Sequence, residues 1–211
     1  MIDILEDKNI LTEDEKEIIT NEVLGDRVAW VRGFGTSPRY PCYMHVLAAR
    51  NPLDEEVIVS PWFDFFRVIL DRFVDKHNLA PNGYKVLRSA LNDQIHYTDK
   101  HGDIHLDYLK PNYLIILYLN DNDKGGTNVY DKVFEDINVP DNYYGNQKSV
   151  CLLNDDLEDG KIWDLPLKAH IKNEKFKISL YNGKYWHAAC PGKLGQRRTI
   201  CMFSIQPKEV I

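Results

Sequence analysis

A chain of 211 residues with 44% hydrophobic content can bury a substantial core in one β-rich domain, and a net charge of −6 argues against a broadly basic nucleic-acid-binding surface. The first 20 residues are acidic and polar with no signal-peptide core, and no apolar run is long enough to span a membrane. Four unevenly placed cysteines, at 42, 151, 190 and 201, suit a reducing compartment, so the expected location is cytoplasmic. In chain order, Thr12-Glu-Asp-Glu15 has the form of a capping box ahead of Ile18, Ile19, Val23 and Leu24, which predicts a helix over 12–24. Val28 to Arg32 and Met44 to Arg50 read as strands. Ser60 as N-cap and Pro61 as first helical residue open a longer helix to Asn78. Phe63, Phe66, Val68, Ile69, Leu70, Phe73 and Val74 give it apolar bulk to cover one side of a sheet. Tyr84 to Tyr97 predicts a strand broken near Asn92-Asp93.

The run Tyr113-Leu-Ile-Ile-Leu-Tyr-Leu-Asn120 reads as a buried strand, and Asp121-Asn-Asp-Lys124 punctuates it. Gly125-Gly126-Thr127-Asn128-Val129-Tyr130 then predicts a tight turn and a return to strand, that is, a hairpin. Residues 131 to 175 form an irregular insert containing Pro140, Asn142, Gly145, Asn146 and an acidic run from Asn154 to Gly160, read as a solvated face. Val150 to Leu153 and Phe176 to Tyr181 are further strands, the latter leading through Asn182-Gly183 to Tyr185-Trp186-His187. No internal repeat or low-complexity tract is present.

Two distant segments carry the chemistry. In an extended strand His105 and Asp107 point to the same side, and His187 can supply a third ligand. Two imidazoles and one carboxylate on one face of a metal leave the opposite face open, as in the facial triad of non-haem Fe(II) oxygenases. The plain alternative is a strand-edge pair and a core histidine. His96 and His101 lie nearby but in a stretch that reads as loop. No His-Glu-x-x-His helix or Cys-x-x-Cys pair points to zinc. Arg197 and Arg198 are candidate anion partners. Arg197, Thr199, Cys201 and Phe203 share one strand face and Arg198, Ile200, Met202 and Ser204 the other; both contain apolar residues, so alternation does not choose.

With these segments in view, the chain resembles the Fe(II)/2-oxoglutarate-dependent dioxygenase superfamily, most closely its prolyl 4-hydroxylase-like branch. His105-Leu106-Asp107 resembles the family's His-x-Asp, and Tyr118-Leu119-Asn120-Asp121 with Gly125-Gly126-Thr127 its strand and Gly-Gly-x-Thr hairpin. His187-Ala188-Ala189-Cys190-Pro191 resembles the distal histidine segment, and Gly195-Gln196-Arg197 the basic residue ten positions later. The resemblance spans roughly residues 84 to 206. It implies a mainly β domain with flanking helices, a double-stranded β-helix (jelly roll, cupin-like) over 1–211, in which 1–83 give helical support and strands and 84–206 the catalytic core. It implies Fe(II) on His105, Asp107 and His187, 2-oxoglutarate and O2 as cosubstrates, and ascorbate as a candidate accessory reductant. By the family spacing Arg197 would bind the far carboxylate of 2-oxoglutarate, with Thr199 on its face and Tyr97 from the preceding strand. The implied reaction is hydroxylation of a substrate C–H bond with release of succinate and CO2; Asp107 argues against halogenation, since halogenating relatives lack the carboxylate. The substrate would be peptidyl proline or, alternatively, a free amino acid, small metabolite or nucleobase; a non-catalytic jelly-roll binding module is the third reading. Trp30, Arg32, Tyr40 and Tyr43 would line the substrate mouth or simply pack.

Overall fold

The first described strand, β1 (Ile4–Asp7), is followed by helix α1 (Glu13–Ile18), whose start is fixed by both halves of a capping box. The Glu15 backbone N–H donates to Thr12 Oγ1 (3.3 Å) and the Thr12 N–H to Glu15 Oε2 (2.8 Å). A π-helical turn, Ile19–Val23, completes the segment expected to be helical. Then come β2 (Val31–Phe34), β3 (Pro41–Ala49), β4 (Val57–Ile58), α2 (Trp62–Lys76), β5 (Tyr84–Ile95), β6 (Ile104–Leu106) and β7 (Tyr113–Tyr118). The remaining strands are β8 (Gly126–Val133), β9 (Val150–Leu152), β10 (Leu167–Lys172), β11 (Ile178–Asn182), β12 (Tyr185–Cys190) and β13 (Arg197–Pro207). The computed structural model describes residues 2–34, 41–49, 55–95, 102–108, 112–133, 150–152, 165–190, 192–193 and 195–208. Tyr40, His96, Tyr97, His101, Pro191 and the acidic run of 154–160 lie outside the described residues.

Helix α2 begins one residue later than the sequence suggests, with Pro61 at the cap position, although Ser60 Oγ still accepts from the Trp62 N–H (3.2 Å). Phe63, Phe66, Ile69, Leu70, Phe73 and Val74 recur at helical spacing and are all buried, each worth roughly 1.5–3 kcal/mol on leaving water. Asn78, at φ 48°, ends the helix in the left-handed region. Arg72 ties α2 to α1 through a two-pronged pair with Glu15 (2.8 and 3.0 Å). No helix among the described residues is long and apolar enough to cross a membrane.

The strands form two antiparallel sheets, an eight-stranded one in the order β1-β11-β7-β13-β5-β3-β2 with β4 beside β3, and a five-stranded one in the order β10-β8-β12-β6-β9. One core lies between the helices and the large sheet, with Phe63, Phe73, Leu91, Ile115, Cys201 and Phe203 among its members. A second lies between the sheets, where Ala90, Ile116, Tyr118, Tyr181, Ile200 and Met202 meet Val129 and Ile171. This is the double-stranded β-helix with helices outside one sheet. Several local expectations change, among them the irregular insert of 131–175, which contains strand β10 paired with β8. Strand β5 runs unbroken through Asn92 and Asp93, because each polar residue finds a partner: Asn92 meets Met202 Sδ (3.2 Å), and Asp93 accepts from Arg197 and Thr199. The turn after β7 does not close a hairpin. Strand β7 pairs with β11 and β13, whereas β8 pairs with β10 and β12, so residues 121–125 carry the chain from one sheet to the other. All six residues of β7 are buried, which requires cover on both faces. Gly126 is demanded by proximity, since a Cβ there would stand 2.0 Å from the Ile171 carbonyl oxygen.

Asp7, at the end of β1, accepts from the Asn9 N–H and faces Lys76 Nζ and His77 Nε2, each 2.8 Å away. Burial works to raise its pKa, but hydrogen bonds from Lys76, Asn9 and His77 outweigh it and hold the carboxyl below its ordinary 3.8. The unfolded chain therefore binds this proton more tightly. The stabilisation is complete above pH 3.8 and is lost as pH falls through the lower folded value. Asp7→Asn should flatten the acid limb of stability below about pH 4, as read by urea unfolding at a series of pH values; an unaltered limb would assign it to other carboxyls.

Candidate metal centre

Strand β6 is only three residues long, with Ile104 and Leu106 buried on one face and His105 on the other. It pairs with β12 so that His105 stands directly opposite His187, which puts both imidazoles on the same face. Their ring centroids are 4.3 Å apart. Asp107, one residue beyond β6, brings its Oδ2 to 3.4 Å from His187 Nε2. The Tyr108 hydroxyl donates to the Leu87 carbonyl (3.1 Å) and pins this segment to β5. One ligand atom from each of His105, Asp107 and His187 lies within 4.8 Å of the others.

The tautomers follow from the partners. His105 Nδ1 lies 2.9 Å from the Asp103 carbonyl and His187 Nδ1 lies 3.2 Å from the Tyr185 carbonyl. A carbonyl only accepts, so each Nδ1 carries hydrogen and each Nε2 is the nitrogen left to the cluster. Burial, and then the neighbouring His187, push the pKa of His105 down to about 4, which keeps it neutral near pH 7. Burial would raise Asp107, but the hydrogen bond from His187 and the charges of His105, His187 and Arg88 prevail and hold its carboxyl well below the usual range. The result is a buried carboxylate beside two imidazole nitrogens, the donor set of a facial triad.

The expected basic residue is placed differently. Arg197 lies on the outer face of β13, half exposed, in a two-pronged pair with Asp93 (3.1 and 2.5 Å). Thr199, on the same face, donates to Asp93 Oδ1 (3.0 Å). Neither points between the sheets, because this parity of β13 continues into Cys201 and Phe203 of the helix-side core. The inner parity is that of Arg198, Ile200 and Met202. Arg198 is 2% exposed and donates to Gln94 Oε1 (2.9 Å) and Thr127 Oγ1 (2.8 Å). Its guanidinium lies 5.6 Å from the Tyr118 ring, whose hydroxyl is 3.0 Å from Thr127 Oγ1. Its Nε has no hydrogen-bond partner, and among the described residues no carboxylate pairs with it. Thr127 faces Ala189 across β8 and β12, and His187 faces Val129. The basic group thus sits one pleat along from the metal cluster, about 7 Å of strand.

Tyr118 and Thr127 belonged to motifs visible in the sequence, but their convergence on Arg198 required the register of three strands. Arg32 and Tyr43 lie exposed on the outer face of the large sheet. Tyr43 pairs with Asp93 and with Arg32 on the outer face, and Trp30 packs against the helix-side core. Their neighbours Val31, Met44 and Val46 take the inner face, with Val31 and Val46 exposed. Tyr97 lies outside the described residues.

Among solved structures the chain is similar to an oxidoreductase of the 2OG-Fe(II) oxygenase family from Burkholderia pseudomallei, with TM-score 0.63, 12% identity, and coverage of 96% of this chain and 84% of that one. It is also similar to HygX from Streptomyces hygroscopicus with nickel, 2-oxoglutarate and hygromycin B bound (TM-score 0.55, 14% identity, 97% and 83%). A Pseudomonas putida prolyl-4-hydroxylase gives TM-score 0.50 and 10% identity over 98% and 93%. No family model matches the chain, and no curated protein matches it in sequence. At these identities the likeness is one of fold.

Proposed function

We propose that this protein is an Fe(II)- and 2-oxoglutarate-dependent dioxygenase that hydroxylates a substrate C–H bond. The observation that carries the reading is Arg198, a buried cation whose hydrogen bonds among the described residues go to neutral groups, one pleat from the His105, Asp107 and His187 cluster. An uncompensated buried charge is costly, and a ligand carboxylate would complete it. A dicarboxylate carries an acidic group at each end, so one end would meet that guanidinium while the other meets a metal on the triad. The solved structures similar in fold include one holding nickel and 2-oxoglutarate, which supports the same pairing here.

His105 Nε2, His187 Nε2 and one Asp107 oxygen would hold the metal, while Arg198, Thr127 and Tyr118 would bind the far carboxylate. When bound, iron and 2-oxoglutarate supply the oxidising chemistry, with 2-oxoglutarate and O2 consumed and succinate and CO2 released. The protein's own part is orientation and the exclusion of water: Tyr181, 2% exposed, tilts its ring against His187 at 5.0 Å and closes the inner wall. Exposed Val31 and Val46 on the inner face suit a substrate with an apolar body. Peptidyl proline meets that description, and so does a free metabolite; succinate release in the presence of prolyl peptides or of amino acids and other metabolites separates them.

The direct test is anaerobic titration with Fe(II) and then 2-oxoglutarate, followed by visible absorption. A charge-transfer band that needs both additions is expected. No band, with no 2-oxoglutarate binding by calorimetry, would favour a binding module on an oxygenase-like scaffold.

A further inference from the structure

Arg88 has entered so far only as a charge near Asp107, with no role of its own in the proposed site. It shares the inner face of β5 with Ala90, Asn92 and Gln94, beneath the segment that carries Asp107. Its Nη1 lies 3.5 Å from Asp107 Oδ1, while the other carboxylate oxygen, Oδ2, lies 3.4 Å from His187 Nε2. The two oxygens of Asp107 therefore face different neighbours. The side chains of Arg88 and Asp107 are 12% and 3% exposed, so water screens this attraction weakly.

A carboxylate can ligate a metal through one oxygen or both. In a facial triad the difference matters, since a second oxygen would take a position that a chelating cosubstrate must occupy. We propose that Arg88 is a positioning residue that holds Asp107 to one-oxygen ligation and so keeps the open face free for 2-oxoglutarate. The proposal rests on the oxygenase reading. The contact stabilises Oδ1 where it is, and turning that oxygen towards the metal would break it inside a site with little water to replace it.

The test uses Arg88→Met and Arg88→Gln, each checked for folding by circular dichroism, and no turnover. Co(II) affinity and its d–d absorption report the coordination mode, and anaerobic 2-oxoglutarate titration of the Fe(II) protein reports the open face. In a folded variant, Co(II) should bind within about tenfold of wild type with an altered spectrum. Its 2-oxoglutarate dissociation constant should rise roughly 10–100-fold, the range typical of lost outer partners of metal ligands. Unchanged 2-oxoglutarate affinity or an unchanged Co(II) spectrum would overturn the proposal. Loss of all metal binding in a folded variant would overturn it too, by making Arg88 necessary for ligation itself. A wild-type protein that binds Co(II) but no 2-oxoglutarate would instead overturn the oxygenase reading.

Discussion

Substituting alanine for His187 is expected to abolish the charge-transfer band of the Fe(II)–2-oxoglutarate protein while leaving the chain folded. In the proposed site the imidazole is one of three donors, and two remaining donors do not define a face. Because second-layer partners of metal ligands already cost roughly 10–100-fold, loss of a donor itself should exceed that range. The fold should survive, since β12 is held by its ladder to β8 as well as by its single pairing with β6. Thermal melting of the metal-free protein should fall by no more than about 1–2 kcal/mol equivalent. A His187→Ala variant with wild-type iron affinity would remove this residue from the metal site. His105→Ala and Asp107→Ala carry the same expectation.

The second large effect separates two adjacent arginines. Arg198→Met should raise the 2-oxoglutarate dissociation constant roughly 100-fold, about 3 kcal/mol, because hydrogen bonds to a charged carboxylate are lost in a dry site. Stability should not fall in step, since an unpaired buried cation costs rather than contributes folding free energy. Arg197→Ala should leave that constant within about threefold, because its guanidinium is engaged with Asp93 on the opposite face. Isothermal calorimetry of both variants decides the matter. A large loss in Arg197→Ala with wild-type behaviour in Arg198→Met would return the role to Arg197.

That contrast also marks how far the sequence could be read. The grouping of the His-x-Asp pair with the distal histidine was legible because strand alternation puts two of the three residues on one side within a single short segment. The choice between Arg197 and Arg198 was not, because both faces of β13 are apolar: one packs on helices and the other on a second sheet. A strand buried on both sides erases the contrast that would label its faces. The same effect hid the crossing after β7, where local glycine chemistry looks like a hairpin although the flanking strands pair elsewhere. Asn92 and Asp93 read as a break because their partners, Met202, Arg197 and Thr199, lie more than a hundred residues away in sequence. Helix α2 was nearly complete in the sequence, since its spacing and stop signals are local.

Strand β1 forms one margin of the large sheet, laid against β11 and fastened at its end by Asp7 to the last turn of α2. Every residue of β11 is buried, so peeling β1 away bares a row of backbone donors and acceptors above apolar side chains. Protonation of Asp7 loosens that fastening. In acid, then, the molecule's vulnerability is colloidal: an uncovered margin that can template pairing with another chain while the interior remains packed.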